Sequence, residues 1–408
     1  MPTRSRQPAL WFAIFVVFID SLGMSIILPI MPDLLVELTG RTVAESAFVG
    51  GAMTAVYALN LFLFGPIIGA LSDRYGRRPL ILISLAALTL DYLLMAVAWT
   101  VWLLFLGRFL AGIAGASFTV AGAYIADVSP KDQRAQNFGL IGAAFGVGFV
   151  IGPALGGLAA EFGTRAPLYL SALLSGLGVF FGLLILPESL KPENRRAFSL
   201  RNANPFSALV RAFALPGLGF FLLAYVLITL ADYTYPAIWA FWSTETFGWG
   251  PRMIGFSLAF YGISTALVQG GLIRLVVPRF GEARTAWIGL ACAVLAFFLI
   301  AVVRETIFVF LLIPLAALSH LLGAALTSMM TRTVSDREQG ELQGVLGAIG
   351  AVTSVISSLG MTALFLKTGN PAAAIYFPGA PFALAGLLTL AAALPMARAL
   401  RSTGAETH

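Results

Sequence analysis

Five ionisable side chains interrupt long apolar runs: Asp20, Asp91, Arg108, Asp232 and His320. A carboxylate surrounded by hydrocarbon can take up and release a proton, and a guanidinium beside it changes how tightly that proton is held. Histidine titrates in a range suited to proton handling. An ionisable group at mid-membrane costs on the order of 2.5–3.5 kcal/mol on insertion scales, so each marks a functional or closely paired position. Asp20 reads as a proton- or substrate-binding carboxylate, with structural pairing to Arg108 as the alternative. Arg108 either tunes the proton affinity of nearby acids or staples two helices. Asp232 lies in ADYTYPAIWAFW, where Tyr233 and Tyr235 add rings suited to a flat or cationic organic substrate. Trp239 and Trp242 in the same stretch are expected in the outer interfacial aromatic belt. His320 fits either proton handling or an ordinary buried hydrogen bond.

The elements that must position these groups follow from composition. Of 408 residues, 59% are apolar and 11% charged, with 25 Lys and Arg against 19 Asp and Glu. Soluble domains carry about a quarter charged residues. A soluble enzyme, a disordered chain and a nucleic-acid binder are therefore excluded, despite a pI near 9.7. Cys292 is the single cysteine, so no internal disulfide exists; it reads as a packing residue. Apolar runs long enough to span a bilayer number twelve, near 9–32, 46–71, 79–99, 101–125, 136–160, 166–186, 217–242, 252–274, 284–303, 306–330, 341–366 and 374–397. They are too long and unbroken for barrel strands. The first run carries Asp20 and is too long for a cleaved signal peptide. With both termini in the cytoplasm, nineteen Lys and Arg fall on inner segments, and only Arg41, Arg165, Arg252, Arg304 and Lys367 on outer loops. The expected fold is an all-α membrane protein of twelve spans in two six-helix bundles, residues 1–186 and 217–408, joined by a cytoplasmic linker at 187–216. A short amphipathic helix is predicted near 206–215.

Two further motifs concern packing and charge. GALSDRYGRRP, between spans 2 and 3, gathers Gly69, Asp73, Arg74, Gly76, Arg77 and Arg78 into one tight loop. Its acid can sit at a helix N-terminus or pair with arginine, forming a conformational latch; Asp127, at the end of span 4, joins the same network. A degraded counterpart, GLIRLVVPRFGEAR, follows span 8. Internal duplication of this kind is common in secondary transporters. In span 5, GFVIGPALGG places Gly148, Gly152, Pro153, Gly156 and Gly157 so that two helices can approach closely. No phosphate-binding loop, metal-ligand spacing or nucleophile triad is present.

Together these motifs, with LGMSIILPIMP in span 1, resemble the major facilitator superfamily and, within it, the twelve-helix drug:proton antiporters. TLDYLLMA, VAGAYIADVSP, LPES and QGELQG are similar to stretches of the tetracycline-efflux proteins. The resemblance implies a monomeric proton-for-drug exporter of the bacterial inner membrane, working by alternating access without cofactor, metal or nucleic-acid partner. Its proton-coupling residues would be Asp20, Asp91, Arg108, Asp232 and His320. Its substrate surface would include Asp20, Arg108, Asp232, Tyr233, Tyr235 and His320. It also implies a peripheral span 3, which gives Asp91 a structural reading nearly equal to its functional one. The chain departs from the tetracycline-efflux pattern: Val294 stands where the family has a span-9 acid, Thr265 where it has a histidine, and Ser319 and His320 where it has a glycine pair. Tetracycline as the substrate does not follow from the resemblance. The rival readings are a proton-coupled importer of a small metabolite and a sensor on a transporter scaffold.

Overall fold

A chain segment crossing lipid must satisfy every N–H and C=O internally, and an apolar run can do so alone only as a helix. The computed structural model bears this out over the residues it describes, which are 6–115, 117–130, 132–196, 198, 204–206, 217–335 and 338–402. Eleven helical stretches among them are long and apolar enough to cross a membrane. One of these, Pro251–Val302, has 52 residues. At 1.5 Å per residue it is more than twice the roughly 30 Å of a bilayer core. It contains spans 8 and 9, joined where Gly281 leaves helical geometry (φ 75, ψ 165). The twelve expected spans are thus accounted for. Span 12 starts later than expected, at Ala380, because Pro371 and Pro378 fall in the turn before it. The amphipathic helix expected near 206–215 lies, beyond Phe206, outside the described residues.

Five spans are interrupted: span 12 divides at Ala392 into Ala380–Ala391 and Ala393–Ser402, and spans 1, 4, 7 and 10 are broken at corresponding places in the two halves. Span 1 consists of Arg6–Ile26, a 3₁₀ turn over Leu28–Ile30 containing Pro29, and Met31–Thr39. Span 4 divides into Val101–Ala114 and Ser117–Val128, span 7 into Gly219–Asp232 and Thr234–Phe247, and span 10 into Thr306–Leu318 and His320–Thr333. In span 7 the cause is local. Pro236 has no N–H to donate to the Asp232 carbonyl four residues earlier. The first segments of spans 1 and 7 end 206 residues apart, at Ile26 and Asp232, and those of spans 4 and 10 end 204 apart, at Ala114 and Leu318. The duplication hinted at by the loops is therefore repeated in the positions of the helix breaks.

Packing divides the chain into two units. The first holds Met1–Gly40, Val56–Pro205 and Gly250–Ala259; the second holds Arg41–Ala55, Phe206–Trp249 and Phe260–His408. Part of the first unit's core clusters Phe12, Val16, Ile81, Leu85, Tyr124 and Leu186. The span-5 glycines close this unit against span 1. A Cβ on Gly148 would lie 2.7 Å from the Phe18 carbonyl oxygen, one on Gly152 would lie 2.9 Å from that of Leu22, and one on Gly156 would collide with that of Ile26. Steps of four residues on both helices bring backbone against backbone. Ser21 donates across the same seam to the Phe145 carbonyl at 2.6 Å. Gly157 and the Pro153 carbonyl lie against Pro251–Gly255. The second unit's core gathers Phe221, Leu290, Leu326, Met330 and Leu346.

Candidate functional site

In the first unit, Arg108 of span 4 forms an ion pair with the Asp91 carboxylate of span 3, and Asp91 is fully buried. Arg108 thus has Asp91 as an ion-pair partner; pairing with Arg108 was the alternative reading of Asp20. Span 3 turns the Asp91 side chain onto Gly107, where any Cβ would lie 2.5 Å from Oδ1. The missing side chain at Gly107 makes room for the acid. The Arg108 guanidinium also lies 5.6 Å above the Tyr57 ring, a cation–π geometry. Tyr57 is seated by Gly112 and Gly115 of span 4, on which a Cβ would press against its backbone and its hydroxyl. Tyr92, next to Asp91, reaches span 1, where its hydroxyl would lie 2.9 Å from a Cβ at Gly23. Asp20, half-buried one turn earlier, is within electrostatic reach of both Tyr57 and Tyr92. Asp20, Tyr57, Asp91, Tyr92 and Arg108 thus make one polar group inside the unit. Two of its atoms, Asp91 Oδ1 and Arg108 Nε, are buried without a hydrogen bond.

The second unit holds Asp232 differently. Span 7 breaks at this residue, and no ion pair to its carboxylate exists among the described residues. Its electrostatic neighbours are tyrosines: Tyr225, Tyr233, Tyr235 and Tyr261. Tyr235 stacks on Phe297 with ring centroids 5.0 Å apart and on Tyr261 at 5.8 Å. The Tyr261 hydroxyl meets His320 Nε2 at 3.0 Å, so His320 sits at the break of span 10 with a defined partner. Trp239 and Trp242 are 5% and 1% exposed. They pack on each other and on Phe382 and do not form an outer belt. The neighbouring rings of Tyr235 and Phe247 complete their burial.

The loop between spans 2 and 3 is a charge cluster centred on Arg77. Its guanidinium reaches Asp73 at 2.5 Å, Asp127 at 3.3 Å and the Ser72 hydroxyl at 2.5 Å. Gly76 takes φ 111, a conformation open to glycine, and so turns the chain into span 3. The first free N–H groups of span 3, on Arg77 and Arg78, donate to the Glu188 carboxylate at 2.9 and 3.3 Å. Glu188 comes from LPES and acts as an external cap on the helix's positive end. Ser189 donates to Asp127 at 3.1 Å. Arg78 donates to the Leu183 carbonyl, whereas Arg74 stays over the Tyr75 ring. Gly69 makes its contribution through its carbonyl, which accepts from Ser72.

The counterpart between spans 8 and 9 keeps the geometry and inverts the charges. Gly281 (φ 75, ψ 165) matches Gly76 (φ 111, ψ 160). The residue after each glycine pairs with the residue fifty positions on: Arg77 with Asp127, and Glu282 with Arg332 at 3.0 Å. Ser328 also donates to Glu282, at 2.6 Å. Sequence reasoning missed Glu188, Glu282, Tyr57 and Tyr261. The equal fifty-residue spacing would have revealed Glu282, but nothing local marks the two tyrosines.

Comparison with known proteins agrees with this architecture. The tetracycline resistance protein of class C from Escherichia coli is 37% identical over 354 residues, covering 87% of this chain and 89% of that protein. Multidrug resistance protein 2 of Bacillus subtilis is 26% identical over 84% of each chain. The crystal structure of the nucleoside transporter NupG superposes with a TM-score of 0.77 at 13% identity, over 96% of this chain and 99% of that one, and shows the shared fold. A family profile matches residues 13–315, and with its paired broken helices and twice-built charged loop the chain belongs to the Major Facilitator Superfamily.

Proposed function

We propose that this chain exports amphipathic or aromatic drug-like compounds across the bacterial inner membrane in exchange for protons, with both termini in the cytoplasm. The observation that carries the reading is Asp232: a carboxylate at a helix break, among tyrosines, with no cation opposite it among the described residues. Such a carboxylate binds a proton or a cationic organic group in turn, which is what exchange requires. Relatives with the names of tetracycline and multidrug resistance proteins support efflux as the direction. The two halves, residues 1–186 and 217–408, alternate access to the substrate, with 187–216 as the linker between them. Substrate contacts come from Asp20, Asp232, Tyr233, Tyr235 and His320, and Arg108 sets the field in which Asp20 works. Asp91 enters proton coupling through Arg108, whose charge it holds. The charge cluster of Asp73, Arg77 and Asp127 serves as the latch. One proton entering at a potential of 100 mV supplies about 2.3 kcal/mol.

Everted vesicles energised to an acid interior test this. Drug accumulates inside, and the lumen alkalinises as protons leave in exchange. Accumulation that persists without a pH gradient, or uptake into right-side-out vesicles driven by the gradient, would overturn the assignment, the latter in favour of an importer. Absence of any flux in liposomes would favour a sensor.

A further inference from the structure

The second charged loop has inverted polarity, and its arginines have no ion-paired carboxylate among the described residues. In the first loop, Asp73 and Asp127 both pair with the Arg77 guanidinium, while Glu188 caps the backbone N–H groups of Arg77 and Arg78. In the second, Glu282 is the one acid between Gly271 and Arg284, and its charge is taken by Arg332 and Ser328. Arg274, Arg279 and Arg284 remain exposed, and none of them has an ion pair among the described residues. One of them, Arg274, lines a crevice of about 280 Å³. Ile273, Val277, Pro278, Ala324 and Ala325 give it apolar walls, and Arg274 stands at its lining together with Glu282 and Ser328. Around it the surface is hydrocarbon: Leu267, Leu275 and Phe280 are 69%, 60% and 46% exposed. A run of π-helix over Val268–Leu272 widens the turn that leads into it, a departure often found at functional positions.

We propose that this crevice binds an anionic phospholipid, its phosphate held by Arg274, with Arg279 and Arg284 of the same loop adding positive charge to the surface, and its acyl chain laid along the apolar wall. Cations with no ion pair among the described residues, at an apolar groove at the end of a membrane span, match a lipid headgroup in charge and its chain in polarity. A soluble anion would use the arginines and leave the groove unused. In the orientation proposed above this is the cytoplasmic leaflet, but binding itself does not depend on that orientation or on transport.

The test uses the full-length protein, purified in detergent, stripped of lipid and titrated with phosphatidylglycerol or phosphatidylcholine, with retained lipid counted by native mass spectrometry. Saturable retention of phosphatidylglycerol over phosphatidylcholine is expected. Each of Arg274→Gln, Arg279→Gln and Arg284→Gln should weaken it by about fivefold, the effect of one cation near an anionic surface. Ala324→Phe, which fills the groove, should also reduce retention, and Ala324→Ser should preserve it. The arginines are exposed, so their variants fold even where Ala324→Phe does not. Equal retention of the two lipids, or arginine variants that retain phosphatidylglycerol like the parent, would overturn the proposal. So would displacement by millimolar inorganic phosphate, which would mark a simple anion site. Drug export is measured separately, so loss of the lipid site and failure of the efflux reading give different results.

Discussion

The two halves of this molecule hold their deep acids in opposite ways. Asp91 is sealed against Arg108, and its site has no exposed carboxylate surface. Asp232 lies at a helix break among tyrosine hydroxyls, with His320 bonded nearby to Tyr261. A buried pair is a fixed charge arrangement whose value lies in staying paired, because removing one partner leaves an uncompensated ion. An acid without a fixed cation can exchange partners. The duplicated fold therefore provides one half with a buried ion pair near Asp20 and the other with an acid that has no ion pair among the described residues. The same contrast recurs at the charged loops. The first is closed by three acids, whereas the second spends its one acid on Arg332.

Breaking this contrast should have its largest effect on transport. Asp232→Asn or Asp20→Asn should abolish gradient-driven accumulation in everted vesicles while the protein still inserts at normal yield. Full export by either variant would refute the role given to that acid. Next in size is the pair. Arg108→Leu should destabilise the protein by about 3–5 kcal/mol, whereas Asp91→Leu with Arg108→Leu should return it to near the parent's stability. Thermal unfolding in detergent measures both, and equal losses in the single and double variants would show that burial of a fixed pair is the wrong description.

The helix seam comes third. Gly156→Ala drives a methyl group into the Ile26 carbonyl and should cost about 1–3 kcal/mol. Gly142→Ala, on the same helix but facing open space, should be stabilising by up to about 1 kcal/mol. The second loop follows. Glu282→Arg and Arg332→Glu should each lower stability by less than about 1 kcal/mol, since Arg332 is 76% exposed. Combining them gives the second loop the polarity of the first and should restore stability, as a double-mutant cycle would read.

The smallest effect concerns Glu338, before span 11. Its carboxylate accepts from the Ser335 backbone at 3.0 Å and the Ser335 hydroxyl at 2.7 Å, and these bonds to the charged form hold its pKa below the usual glutamate range. Because the folded value is the lower one, its contribution is present above the unfolded pKa and is lost as pH falls through the folded one. Ser335→Ala should flatten that part of the change in melting temperature between neutral and acid pH. An unchanged profile would remove this cap from the account.

How much of this was legible in advance depends on how local each signal is. The GxxxG-type steps of span 5 predicted a close helix contact, because small residues every four positions form one face, and the structure places span 1 there. The partner of Arg108 was not legible. Asp20 and Asp91 are both acids in apolar runs, and choosing between them requires knowing which span lies beside span 4. Trp239 and Trp242 were misjudged for the same reason. Aromatic rings near a span end suit both an interface and a packed interior, and only neighbours such as Phe382 distinguish them.

The sequence alone determined that this chain spans a membrane twelve times as helices, with its charges confined to loops and a few deep positions, because the penalty for exposing backbone or charge to lipid acts on each segment separately. Tertiary structure alone decided which of the deep charges are paired. It brought Glu188 onto the start of span 3, inverted the second charged loop through a pairing fifty residues long, and left Asp232 without an ion pair among the described residues. Those outcomes depend on contacts between segments far apart in the chain, whose side-chain partners no local pattern of hydropathy specifies.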